Sequence, residues 1–167
     1  MKYKFVLDEN VFRHALNRVD KHDNPDDSAM NLIKQIAKNC HRIILDKKLN
    51  SVFIRVLERL KDAREKSKSW ETKIDDKFII ALIKIKVTGQ KYLFQAYPAE
   101  DLENFSGIES IPHKDRYMAK LAINENANYI VTSDEAFENS VNNNDFLADK
   151  NISAIKVKDA LERAGEN

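Results

Sequence analysis

Apolar and polar positions along the chain follow two rhythms. Phe5, Val6 and Leu7 form an apolar run that stops abruptly at Asp8, Glu9 and Asn10. A short β-rich run closed by polar residues, then apolar positions at i, i+3, i+4 and i+7, predicts a strand feeding a helix. Phe12, Ala15, Leu16 and Val19 have that helical spacing. Residues 20 to 27, DKHDNPDD, have no apolar anchor and include a proline, which predicts a loop. Asp27 or Ser28 then caps a helix burying Ala29, Leu32, Ile33, Ile36 and Ala37, and a second strand over 41 to 45 ends in Asp46. From Lys47 a long helix turns Phe53, Val56, Leu57 and Leu60 inward and runs out into the charged stretch 61 to 73.

Beyond it, Phe78, Ile79, Leu82, Ile83 and Ile85 suit a buried helix, and 87 to 94 around Gly89 reads as a short strand or a turn. Pro98, Gly107 and Pro112 mark 97 to 113 as a loop. Asp115 opens a helix with Met118, Ala119, Leu121 and Ala122 inward. A strand over 129 to 132 follows the turn residues Asn126 and Asn128 and closes at Asp134. A short helix to about residue 141, a strand over 152 to 155 and a helix over 157 to 164 complete the pattern. The order predicts a three-layer α/β/α sandwich, with a central parallel sheet of four or five strands and helices on both faces.

Length and composition narrow this. With 167 residues, 43% of them apolar, and no composition break, the chain is expected to be one domain, residues 1–167. Only 3 Gly and 3 Pro argue for mostly regular structure. The single cysteine, Cys40, has no intrachain partner and is expected to pack; with no signal peptide and no membrane-spanning run, a cytoplasmic protein is expected. The 28 basic and 27 acidic residues leave a net charge of +1, so any footprint for a polyanion must be local.

The chemistry lies at the strand ends. Asp8, Asp134 and, at a helix start, Asp115 are predicted to meet in the crevice beyond the carboxyl ends of the strands, with no neutralising lysine or arginine expected among them. Asp46 ends the second strand in the same sense. Crowded carboxylates repel, and hard divalent cations relieve them; Mg²⁺ in particular keeps open positions for phosphate oxygens. Such a site suits phosphodiester hydrolysis, with Asn10 and Ser133 placed to position water or phosphate. Taken singly, Asp8 or Asp115 is better explained as a helix cap, stabilising its helix by about 1 kcal/mol, and it is the joint pattern that points to a site.

The motifs LDENVF, residues 7 to 12, and DRYMAKLAINENANYIVTSDEAF, residues 115 to 137, resemble the PIN-domain ribonucleases, whose members include the toxins of VapBC-type toxin–antitoxin pairs. The resemblance spans essentially the whole chain. It implies a metal-dependent endoribonuclease with Asp8, Asn10, Asp115, Ser133 and Asp134 at the site. Mg²⁺ or Mn²⁺ would sit on Asp8, Asp115 and Asp134, helped by Asp46. RNA is the implied substrate, and an antitoxin protein and a second copy of the chain are implied partners. One position departs: Val52 stands where the family has Glu at the start of the helix after strand two. The alternative is therefore a catalytically degenerate PIN-like module that binds RNA or a partner protein.

Other features point less sharply. His14, His22, His41 and His113 lack zinc-site spacing and are read as surface or satisfied core residues, with His113 a candidate phosphate contact. Lys61, Arg64, Lys66, Lys68 and Lys73 around Trp70 form either a solvated helix end or an RNA-backbone contact. A phosphoacceptor receiver domain, drawing on Asp46, Thr132 and Lys156, fails because Asp46 and Thr132 are too far apart in sequence.

Overall fold

The computed structural model describes residues 2–46, 51, 54, 55, 58, 62, 94–97 and 105–166. In chain order the elements are β1 (Lys4–Leu7), α1 (Glu9–Asn17), α2 (Ser28–Lys38), β2 (Arg42–Asp46), β3 (Phe94–Tyr97), α3 (Arg116–Glu125), β4 (Tyr129–Val131), α4 (Glu135–Asn142), α5 (Asp145–Asp149), β5 (Ser153–Ile155) and α6 (Val157–Gly165). The five strands form one sheet in the order β3-β2-β1-β4-β5, and every neighbouring pair is parallel.

The strands read as continuous apolar runs because both sheet faces are covered. Their pleat divides the core in two. Phe5, Leu7, Ile43 and Val131 pack with Phe12, Ile33, Ile36 and Ala160, on the side of α1, α2 and α6. Val6, Ile44, Ile130 and Ala154 pack with Met118, Leu121, Ala122 and Phe137, on the side of α3 and α4. The three-layer α/β/α architecture is thus the one expected.

Three local features differ from expectation. The sheet has five strands, within the expected four or five, but its edge strand is Phe94–Tyr97, paired with β2 from Ile43 to Asp46, and begins where the strand or turn expected over 87 to 94 ends. Phe94 and Tyr97 favour a strand, but four residues next to Pro98 are too short a run to fix its bounds from sequence, and pairing with β2 fixes them. The α5 turn of helix was also not expected; Asn144 caps it, its side chain accepting from the Leu147 N–H at 3.0 Å. Cys40 does not pack: it is exposed at φ 57°, in the turn that ends α2. Its neighbour takes the buried place instead. The His41 ring accepts from the Tyr3 N–H at Nδ1 (3.0 Å) and reaches the Ala164 carbonyl with Nε2 (3.1 Å), a satisfied core histidine.

At the start of α2, Asp27 occupies the cap position without capping, because its carboxylate is held bidentately by Arg18 at 2.7 Å; Asp26 accepts from the Ser28 N–H instead. Ser51, Ile54, Arg55, Glu58 and Asp62 are helical, as expected after Lys47. Val52, the surroundings of Trp70 and the helix expected after residue 74 lie outside the described residues. Among the described residues no helix is long and apolar enough to cross a membrane.

Candidate metal centre

The strand order fixes where a site can form. From β1 the chain moves outward to β2 and β3, then returns across the sheet to β4 and on to β5, so β1 and β4 are the neighbours at which the winding reverses. Open parallel sheets bind ligands beyond the carboxyl ends of strands at such a point. Leu7 pairs with Val131, and the Asp8 N–H donates to the Val131 carbonyl at 3.0 Å, so Asp8 and Thr132 leave the sheet side by side.

Strand alternation then selects the side chains that meet. Asp8 shares the parity of Val6, and Thr132 that of Ile130, so both lean toward the α3 side. Asp8 is 8% exposed and Thr132 fully buried. The Thr132 hydroxyl donates to Asp8 Oδ2 at 2.8 Å and accepts from the Asp134 N–H at 3.0 Å, tying the two acid-bearing strand ends together. Asp8 Oδ1 accepts from the Asn10 N–H at 3.3 Å, a long capping bond to α1. Asp134 caps α4 through the Ala136 and Phe137 N–H groups at 2.9 and 3.1 Å. Those bonds hold its carboxyl below the usual range, against a smaller opposing effect of burial.

Asp115 behaves differently. It stands at the N-terminus of α3 but makes no side-chain capping bond. Its side chain is 15% exposed, and Oδ2 is buried with no hydrogen-bond partner. Burial raises its pKa above the ordinary carboxylate value; Lys114 opposes the shift, while the charges of Asp134 and Asp8 add to it. Capping therefore accounts for Asp8 and Asp134 in part and for Asp115 not at all. The expectation of no neutralising base is corrected: the exposed ammonium of Lys114 lies 3.7 Å from Asp115 Oδ2 and 3.6 Å from Asp134 Oδ2.

The structure thus brings Asp8, Asp115 and Asp134 into mutual electrostatic range, with Asn10 supplying its backbone N–H. Ser133, half-buried, lines an adjoining cavity. Asp46 ends β2 opposite Tyr97, one strand away, and its side chain lies outside the described residues. His113 is exposed. Reading the sequence missed Thr132 as the link between the acids, although its parity with Ile130 signals it, and missed Lys114, one position before the motif. The donors are all oxygen, and a buried carboxylate oxygen lacking a partner suits a hard cation. In the conformation described, no three Asp, Glu, His or Cys side chains among the described residues are grouped to hold one ion.

Fold and site together define an open parallel α/β sheet with an acidic crevice at its switch point. The chain matches no protein-family model, no curated protein and no solved structure.

Proposed function

We propose that this chain is a metal-dependent endoribonuclease of the PIN class, hydrolysing RNA phosphodiesters in the crevice between β1 and β4. The observation that carries the proposal is Asp115 Oδ2, a buried carboxylate oxygen with no hydrogen-bond partner, at the switch point and within the fields of Asp8 and Asp134. Its one cationic neighbour, the exposed ammonium of Lys114 at 3.7 Å, offsets the cost of burying it only in part, and a divalent cation is the partner that would remove the rest.

Asp8, Asp115 and Asp134 would hold Mg²⁺ or Mn²⁺, with Asp46 a further oxygen from the end of β2. Such an ion supplies an activated water and offsets charge on the phosphate in flight. The protein's share is positioning. Thr132 fixes one oxygen of Asp8, and the Asn10 N–H holds the other through a long 3.3 Å bond that leaves it capacity for a further partner. The α4 N–H groups occupy one oxygen of Asp134, and the other faces Lys114. Lys114, on an exposed and flexible stem, holds the acids together and swings aside to meet a substrate phosphate. The motif resemblance adds an antitoxin protein and a second copy of the chain as partners.

A second reading, the catalytically degenerate module that binds RNA or a partner protein, is favoured by one observation: Lys114 already pairs with two of the three acids. One assay separates the two. Single-stranded RNA incubated with Mn²⁺ should be cut by the natural chain, not in EDTA, and at least about 100-fold more slowly by Asp115→Asn. RNA binding without Mn²⁺-dependent cleavage would establish the degenerate reading.

A further inference from the structure

Beside the acids, across the backbone of Thr132 and Ser133, lies a cavity of about 360 Å³ between the loop after α1, the start of α2 and the first turn of α6. Val19, Ala29 and Val157 give it apolar walls, and Ser28 and Ser133 give it hydroxyls. His14 also lines it, 4% exposed, and its imidazole makes no hydrogen bond among the described residues. Burial holds that imidazole below its ordinary pKa, so at neutral pH it presents one donor and one acceptor. The first turn of α6 reaches the cavity with no side-chain cap, leaving its N–H groups for an acceptor.

We propose that this cavity is a nucleoside subsite, taking one unpaired base of a single-stranded RNA whose phosphodiester lies at the acids. The size supports one nucleoside and not a helix, since about 360 Å³ is near the lower end of small-molecule pockets. Apolar walls with a few polar groups suit the face and edge of a base. Charge selects the base over an isolated phosphate: Lys21, Lys156 and Lys158 at the rim pair with Glu135, Glu138 and Asp26, so the lining has no large cationic excess. Thr132 and Ser133 both border the cavity, and the Thr132 hydroxyl also holds Asp8, so base and phosphate would meet at one residue pair. The chemistry predicted is cleavage next to a preferred base.

This inference rests on the nuclease reading for its substrate, but its test is a binding measurement in EDTA, independent of metal and cleavage. The four ribonucleoside 3′-monophosphates are titrated into the 167-residue chain and followed by NMR. Shifts at His14, Ser133 and Val157, with one base bound at least about ten-fold more tightly than another, are expected. His14→Phe, which keeps a ring but removes its nitrogens, should abolish that preference. Ser28→Trp, at a partly exposed position, should block binding by filling the mouth and serves if the His14 variant does not fold. Binding without cleavage in the Mn²⁺ assay would leave the subsite standing and overturn the nuclease reading. No binding by any of the four, or binding and base preference unchanged in both variants, would overturn the subsite and leave the cavity to a protein side chain.

Discussion

Removing the Thr132 hydroxyl tests the wiring of the site most cleanly, because that one group serves two acid-bearing segments. Thr132 is fully buried, and its Oγ1 makes a 2.8 Å bond to a carboxylate oxygen and a 3.0 Å bond from a backbone N–H. In Thr132→Val the shape is kept and both bonds vanish. A hydrogen bond to a charged group contributes about 1.5 to 3 kcal/mol, and Asp8 Oδ2 and the Asp134 N–H are left in poor solvent contact, so the expected loss is about 3 kcal/mol. Thr132→Ser keeps the hydroxyl and removes one buried methyl, which costs about 1 kcal/mol. For a chain of this size that corresponds to falls of roughly 6 to 12 °C and 2 to 4 °C in Tm. Urea unfolding in EDTA, followed by circular dichroism, gives both numbers. A cycle with Asp8→Ala should return a coupling of about 2 kcal/mol. Equal losses in the valine and serine variants, within about 0.5 kcal/mol, would show that the hydroxyl does not hold Asp8 and would refute the reasoning.

Other consequences follow from the charges. Burial raises the Asp115 pKa, so its folded form prefers the proton and the ionised side chain weakens the fold at neutral pH; Asp115→Asn should raise the metal-free Tm by a few degrees, and a fall would show that the carboxylate is structurally required. His14 and His41 are both held below the ordinary histidine pKa, burial being the main cause. Their contribution is complete above about pH 6.5 and is lost as pH falls below it, because the unfolded chain then binds more protons. Urea midpoints at pH 7.5, 6.5 and 5.5 should therefore decrease, with the His41 ring resonances titrating below the free value by NMR. Lys114 competes with a cation for Asp115 and Asp134, and for an exposed ammonium under 4 Å away this amounts to about 1 kcal/mol. Lys114→Met should accordingly tighten Mn²⁺ about five-fold and Lys114→Arg should not.

Much of this was legible in the sequence, for identifiable reasons. β1 and β4 are apolar runs closed by acids, and parallel packing buries both faces, so their ends were readable as a crevice. The helix over Arg116–Glu125 and the inward set Met118, Ala119, Leu121 and Ala122 followed from period alone. What escaped depended on tertiary reach. β3 is only four residues long, and its bounds are set by its pairing with β2. Asp27 resembled a cap until Arg18 claimed it. Lys114 acts through a long side chain from outside the motif, and the link between the acids is Thr132, whose hydroxyl bonds both Asp8 and the Asp134 N–H.

The central claim is that Asp115, Asp8 and Asp134 form a site for a divalent cation. Calorimetric titration of Mn²⁺ into the metal-free chain, repeated with Asp115→Asn, tests it most directly. Saturable binding to the natural chain is expected, weakened at least about ten-fold in the variant. Binding of equal strength in both, or no binding to either, would contradict it.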